Sequence, residues 1–556
     1  MNVRHQLRWL FAVQAVLLAV AAWRNLHQLN PDAVAYCRIA GYYAAGQTEL
    51  AVTGYWGPLV SWLMVPLLKA GAVPLVAARV VMAFSGVVFL AGALSVFRSF
   101  RLPNVALRTG ACIAAVWSVF WSVRHITPDL LLAGLVALAV SATVKMFLAP
   151  CRRLAVAVLP DAKREGAAIA SRRHARHAIA VGVWWGLAYL AKAVALPLAL
   201  LTTAGLAVLA MSGRRELRAE LAARLGLAWL GTALVAAPWI AVLSLHYGQF
   251  TFSTTGPIAH ALAGPGEQAG HHRAMTTLHQ PDAGRVTQWE EPSRMAYVRW
   301  SPFAGGENFR HQLAVVGDNI GICWDWLNPW RAWLTGAELP LWRRWLGTFD
   351  VLGISGLAVL IAGGCMVKCR RCLRRQRWCW ALVPVVALGA LYLPFFVMAE
   401  DNRYFFPALP FLWVLAVGAW GWSARVRAGF GVVNYSFAVP AMIWLAAALA
   451  GIPNQASHVA HDLAARLQAS GQPGPLAGSG LLPGGRSGIY TAFLLGERWL
   501  GDDVLAGPAE FASAGARVVV SRRGSQQAES LARDSRWRPV EPAISVSLQV
   551  FVRAHP

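Results

Sequence analysis

Acidic residues are scarce in this chain: 26 Asp and Glu among 556 residues, against 50 Lys and Arg, with all four types together only 14%. So thin a supply of charge, beside 57% hydrophobic residues and a mean hydropathy of +0.47, excludes an ordinary soluble globule. Cysteine is sparse too. Eight Cys without a regular pairing pattern do not describe a disulfide framework. The spacing of Cys365, Cys369, Cys372 and Cys379 is not that of a zinc site. There is no internal repeat and no long low-complexity tract. The net charge of +24 forms no continuous basic stripe. It sits in short stretches between apolar segments, which argues against nucleic acid as a partner and for the positive-inside pattern of membrane proteins.

What the chain does have is long apolar runs. Stretches long enough to cross a bilayer fall near 7–25, 75–97, 105–122, 129–149, 225–245, 348–366, 379–398, 405–424 and 431–452. A longer apolar block over 178–211 divides into two short spans around Lys192, which gives about eleven crossings. The segment 58–70 is apolar but short and holds two prolines. If it does not cross, the pieces on the inner side carry 24 Lys and Arg and only four acids, Asp161, Glu165, Glu216 and Glu220. If it does, every later basic loop moves outside, against the bias that orients helices. It therefore reads as a helix lying along the outer surface. The first run has Arg4 and Arg8 ahead of it and an Ala19-Val20-Ala21 stretch resembling a cleavage site, yet it is expected to stay as a span. The expected topology has the N-terminus cytoplasmic and the C-terminus outside.

Three regions then face outward, and they define the expected organisation. A membrane domain over 1–452 carries outer loops at 26–74 and 246–347, and an extracytoplasmic α/β domain fills 453–556. The first loop opens with a helix signal: Asn30 as N-cap, Pro31 at the first helical position, Asp32 in the first turn and Gly46 as the stop. In the tail, Arg517 to Ser521 and Ile544 to Val552 read as strands, Ser457 to Ala469 and Gln526 to Asp534 as helices, and 471–485 as a loop. In the large loop, a metal site at His271, His272, His279, Glu290 and Glu291 weighs less than a solvated surface. Trp324, Trp326, Trp330 and Trp333 suit an interfacial belt or a loop core better than a sugar platform.

Two carboxylates stand out. Asp32 in Asn30-Pro31-Asp32 and Asp129 in Thr127-Pro128-Asp129 both lie where an apolar segment meets the outer surface. An acid that enters the hydrocarbon costs about 2.5–3.5 kcal/mol, so one held at its edge needs a reason. A helix N-terminus favours a charged carboxylate, which suits Asp32 to act as a base. Lys192 and the group Glu400-Asp401-Asn402-Arg403-Tyr404 belong to the same outer level. Arg124, beside His125, is a further candidate for binding phosphate. Each has a plain alternative as a snorkelling cation, an interfacial anchor or a first-turn acid. Together they suit attack of a hydroxyl on a carbon bearing a phosphate leaving group. A carboxylate takes the proton, and Lys, Arg or a divalent metal ion stabilises charge on the departing phosphate.

The order of Asp32, then Tyr55-Trp56-Gly57-Pro58-Leu59, Thr127-Pro128-Asp129, Gly186-Leu187-Ala188-Tyr189-Leu190-Ala191-Lys192 and Arg403-Tyr404-Phe405-Phe406-Pro407 resembles the GT-C membrane glycosyltransferases. It looks most like the branch of the protein O-mannosyltransferases and the aminoarabinose transferases of lipid A. The likeness covers roughly residues 1–450. It implies an all-α polytopic membrane protein in a bacterial inner membrane, to which the tail's own strand and helix signals add a small C-terminal periplasmic α/β domain. It further implies transfer of a sugar, with inversion, from a polyprenyl-phosphate donor to a lipid, glycan or protein acceptor outside. By this resemblance Asp32 and Asp129 are the catalytic acids, and Lys192 binds the donor phosphate with Arg403 and Tyr404 near the same donor; Arg124 joins them from its place before Asp129, not from the resemblance. Tyr55, Glu400 and Asp401 contact substrate. No cofactor is fixed, and a divalent metal ion stays open. The family often has a second acid after the first, where this chain has Ala33, and Trp56-Gly57 replaces a pattern that often carries Lys or His. A transporter or flippase of lipid-linked sugars, or a non-catalytic cell-envelope assembly protein, is the rival reading. Transporters are often built from repeated halves with charges at the midplane, whereas these acids gather at one face.

Overall fold

The computed structural model describes residues 3–148, 163–211, 218–265, 272–327, 380–394, 402–420, 442–452, 454–471, 473–479, 486–540 and 548–554. The N-terminal half runs α1 (Val3–Arg24), α2 (Pro31–Ala44), α3 (Thr48–Ala51), α4 (Pro58–Lys69), α5 (Pro74–Ser99), α6 (Asn104–Arg124), α7 (Asp129–Leu148), α8 (Lys163–Ala191), α9 (Ala195–Met211) and α10 (Arg218–Tyr247). Among the described residues, five stretches are long and apolar enough to cross a membrane: His5–Arg24, Pro74–Ser99, Asn104–Arg124, Asp129–Phe147 and Arg218–Tyr247. Shorter apolar helices follow at Ala195–Met211, Leu382–Tyr392 and Arg403–Leu415. The expected span at 348–366 lies outside the described residues, and that at 431–452 is described only from residue 442.

The bundle packs α5 against α6 and α7, α7 against α8, and α8 against α10. With no difference in polarity between side chain and lipid tail, close approach and buried polar contacts supply the cohesion. At Gly92 of α5 a Cβ would sit 2.4 Å from the Gly134 carbonyl oxygen of α7, so only glycine permits that crossing. Gln14 of α1, fully buried, donates to the Gly86 carbonyl (3.0 Å) and the Ser118 hydroxyl (2.8 Å), tying three helices by one side chain.

Two breaks in the helical pattern place the functional residues. The long apolar block divides where expected: α8 stops at Ala191, α9 starts at Ala195, and Lys192 stands in the break. The other is α4, which is 12 residues long. At 1.5 Å per residue it spans about 18 Å, too little for a hydrocarbon layer of about 30 Å. It packs against α2, with the Ser61 hydroxyl donating to the Tyr36 carbonyl at 3.1 Å.

The C-terminal unit contains a five-stranded sheet: β1 (Leu476–Ser479), β2 (Trp499–Asp502), β3 (Val518–Arg522), β4 (Trp537–Pro539) and β5 (Leu548–Arg553), in the order β2-β1-β3-β5-β4. β1 runs parallel to both β2 and β3, and β5 is antiparallel to β3 and β4. The expected strands correspond to β3 and β5, and the expected helices to Gln455–Ala469 and Gln526–Arg533. One expectation fails. The stretch 471–485 is not a plain loop, because residues 476–479 form β1 inside the sheet. Leu-Ala-Gly-Ser has little intrinsic strand preference, and two parallel neighbours impose the conformation.

This unit is tied to the loops that precede α4 and follow α10. Trp499 N–H donates to the Val286 carbonyl (2.7 Å), and Thr287 forms a parallel bridge with Trp499. The His279 N–H reaches the Leu500 carbonyl at 2.8 Å, and the Leu29 N–H reaches the Ser457 hydroxyl at 3.0 Å. The first loop, the large loop and the C-terminal unit therefore form one body above the helix ends.

Candidate active site

Asp32 enters the site in the first turn of α2, whose φ-restricted Pro31 pre-forms the helix start. Asp129 is the first residue of α7, directly after Pro128. Both acids thus sit at the ends of helices where backbone N–H groups are uncommitted. Lys192 comes from the α8–α9 break, and Arg403 from the 3₁₀ helix Asn402–Ala408.

The fold brings these four together. Arg403 Nη1 lies 2.7 Å from Asp32 Oδ2, and its Nε lies 3.7 Å from Asp129 Oδ2. Lys192 Nζ lies 2.6 Å from Asp129 Oδ1. One guanidinium therefore spans both acids, with the ammonium closing the far side. Tyr404 forms the floor: Lys192 Nζ stands 4.4 Å and Arg403 Cζ 5.5 Å from its ring centre. Such contacts hold cations in place without consuming their charge. Asp129 is buried, while Lys192 keeps about a fifth of its side chain exposed.

Tyr55 reaches the same place from the first loop. Its hydroxyl lies 3.2 Å from His272 Nε2, and its ring packs edge-on against Trp56 and His272 and tilted against Trp289. Burial, with the neighbouring charges of Tyr404 and Asp32, holds its hydroxyl well above the ordinary phenol range, so it stays protonated. The loop can approach because of Gly57, where a Cβ would stand 2.2 Å from the Ala191 carbonyl oxygen at the end of α8. That departure from the family pattern is a packing requirement beside Lys192.

Arg124 lies at the end of α6, exposed, over the rings of Trp121 (5.3 Å) and Phe120 (5.7 Å), and it donates to His125 Nε2 at 3.3 Å. No direct contact between Arg124 and either acid is part of the described geometry. His125 carries more information than its sequence context suggested. Burial first, then Arg403, Arg124, Arg486 and Arg79, hold its imidazole well below the ordinary range, which leaves it neutral among cations. Glu400 and Asp401 lie outside the described residues.

Two residues of the C-terminal unit belong here too. The helix Arg486–Leu495 packs against α2 and buries Tyr490. Burial raises the Tyr490 hydroxyl, Asp32 raises it further and Arg486 opposes both. Nothing in the local sequence marked Tyr490 or Arg486, because their proximity to Asp32 arises only on folding.

The large loop corrects another expectation. Glu290 and Glu291 are fully buried, not solvated. Glu290 accepts from the Tyr42 hydroxyl (2.6 Å) and from the N–H groups of Val286 (2.9 Å) and Thr287 (3.1 Å). Glu291 accepts from the Tyr247 hydroxyl at 3.1 Å and from the Ser293 hydroxyl. Burial pushes the Glu290 carboxyl up and that of Glu291 up to about 7. His272 is likewise pushed down to about 4 by burial. Of the tryptophans weighed in the sequence, Trp330 and Trp333 are outside the described residues. Among the described residues no group of three or more His, Cys, Asp or Glu is disposed to hold a metal ion. Asp32 and Asp129 face cations instead.

No family model matches the chain, and no curated protein matches it. Solved structures do. The chain is similar to ArnT from Cupriavidus metallidurans bound to undecaprenyl phosphate, at 16% identity and a TM-score of 0.56, over 98% of this chain and 97% of that one. The apo state of that protein matches at 16% identity and a TM-score of 0.55, over 99% and 98% of the two chains. The oligosaccharyltransferase of Archaeoglobus fulgidus in its apo form matches at 12% identity and a TM-score of 0.52, over 93% of this chain and 69% of that one. The likeness to ArnT extends through the C-terminal unit, beyond the roughly 450 residues over which the motifs run. This chain has the fold of the GT-C membrane glycosyltransferases.

Proposed function

We propose that the protein is a membrane glycosyltransferase that moves a sugar, with inversion, from a polyprenyl-phosphate donor to an acceptor hydroxyl outside the membrane. The observation that carries this reading is the Asp32–Arg403–Asp129–Lys192 cluster at the ends of apolar helices. Two acids and two cations balance one another, so the cluster is stable without a ligand. A phosphate arriving from the lipid side competes for Lys192 and Arg403, the donors best suited to it. Arg403 then turns from Asp32 toward the anion and leaves that carboxylate open to a hydroxyl.

The reaction follows from those positions. The acceptor oxygen attacks the anomeric carbon from the face opposite the phosphate, and its proton passes to Asp32. The bond from that carbon to the phosphate oxygen breaks, and polyprenyl phosphate leaves with the electron pair. Lys192 and Arg403 stabilise the charge that grows on it. Asp129 orients both cations. Arg124 lies further out, where its charge attracts the donor before it seats. No step is assigned to a metal ion.

ArnT was solved with undecaprenyl phosphate, a carrier of the class proposed here. The basic inner loops support a cytoplasmic N-terminus and an outward site in a bacterial inner membrane. Purified protein incubated with a panel of polyprenyl-phosphate sugars should release polyprenyl phosphate from one of them. If it moves a lipid-linked sugar between leaflets of a vesicle with the sugar–phosphate bond intact, it is a flippase instead.

A further inference from the structure

Asn30 occupies the N-cap position of α2, with extended backbone at φ −135° and ψ 161°, yet its side chain does not cap the helix. An asparagine there ordinarily accepts from an N–H of the first turn, a bond that stabilises the helix start. Here the amide is committed elsewhere. Its Oδ1 accepts from the Ile126 N–H at 2.9 Å, and its Nδ2 donates to the Ile126 carbonyl at 3.4 Å. Asn30 and Ile126 are both buried. The side chain thus pairs with both polar groups of one distant residue, as a neighbouring strand would.

The two residues joined are informative. Asn30 is two positions ahead of Asp32, and Ile126 three ahead of Asp129. A second, independent bridge joins the same two segments. Arg79 of α5, buried, donates from Nη2 to the Gln28 carbonyl (2.6 Å) and from Nη1 to the Val123 carbonyl (2.9 Å) at the end of α6. One bridge lies just before each acid and the other a turn further back. Between them the segments 28–30 and 123–126 have little freedom to slide.

We propose that Asn30 is a positioning residue: its amide forgoes the helix cap in order to fix the separation of Asp32 from Asp129, with Arg79 holding the same two segments behind it. The consequence for a transferase site, and this rests on the reading above, is that one arginine can span both acids only at one separation. Arg403 lies 2.7 Å from one carboxylate and 3.7 Å from the other, so a shift of an ångström between the loops breaks one contact. Misplacement on that scale is costly in catalysis, where the acting base must lie within hydrogen-bond reach of its proton.

Asn30→Ser separates positioning from capping. Serine is as good an N-cap as asparagine, but its hydroxyl is too short to reach Ile126 and would turn to the helix. The expected result is a melting temperature lowered only slightly, the new cap offsetting part of what Ile126 loses, with donor KM within about twofold and kcat lowered about tenfold, since geometry rather than binding is lost. Amide exchange at Ile126 reads the bridge without reference to activity, and protection there should fall about tenfold in the Ser variant. Unchanged kcat would overturn the proposal. So would a large fall in melting temperature with KM raised and kcat lowered together, which marks a merely structural residue, or unchanged exchange at Ile126. If the wild-type protein consumes no donor while the exchange result is as expected, the bridge stands and the transferase reading falls.

Discussion

Two pairs of buried acids in this molecule are satisfied in opposite ways. Asp32 and Asp129 face cations, Arg403 and Lys192, at 2.6–3.7 Å. Glu290 and Glu291 are held mainly by neutral donors: the hydroxyls of Tyr42, Tyr247 and Ser293 and the N–H groups of Val286 and Thr287. Arg38 stands off at 3.8 Å from Glu290. An ion pair at a helix end can exchange one anion for another, because an entering phosphate satisfies the same cation. A carboxylate bonded to hydroxyls and backbone has no such substitute, and its removal leaves several buried donors unpaired. The first pair is therefore suited to chemistry and the second to fastening the large loop onto the first.

Each half of that contrast can be broken separately. The largest effect is expected from Asp32→Asn, which should lower kcat by about 10³-fold, within the range for loss of a general base. Lys192→Met or Arg403→Ala should cost about 10²-fold in kcat/KM, with donor KM raised, because each removes stabilisation of the leaving phosphate. Glu290→Ala should instead lower stability by about 2–3 kcal/mol while changing kcat little, measured by thermal unfolding in detergent beside single-turnover assays.

A smaller effect concerns pH. The Glu291 carboxyl is pushed by burial from the ordinary range up to about 7. A raised carboxyl favours the protonated folded form, so its contribution is complete below the unfolded-state value near pH 4.5 and is lost as pH rises to about 7. The wild-type melting temperature should decline across that window relative to Glu291→Gln, and a flat difference would contradict the assignment. The smallest effect belongs to His272. Burial holds it at about 4, so it is neutral throughout the range near pH 7. His272→Gln should leave the pH dependence of kcat/KM between about pH 6 and 8 unmoved.

Much of the charged site was legible in the chain because topology alone gathers helix ends. Lys192 interrupts an otherwise apolar block, and both aspartates follow prolines at the start of helical patterns. Once loop charge orients the spans, these residues and Arg403 must lie at one level. What could not be read was anything that depends on contact between distant segments. Glu290 and Glu291 belong to a polar, Gly- and Pro-containing stretch that reads as solvated, and only Tyr42 and Tyr247, far away in sequence, make their burial affordable. β1 is a strand because of its neighbours, not its composition. Asn30 was legible as an N-cap by position, but the use of its amide was not, because capping and bridging employ the same atoms. Tyr490 and Arg486 reach the Asp32 region through the packing of a unit whose sequence carries no motif.

The central claim is that Asp32 is the base of a sugar transfer whose leaving group is held by Lys192 and Arg403. It is tested most directly by measuring polyprenyl phosphate release from the consumed donor by wild-type protein and by Asp32→Asn, with donor binding measured on both. The account predicts that the variant binds donor as tightly as the wild type and releases about 10³-fold less. Release at the wild-type rate by a variant that still binds would contradict it.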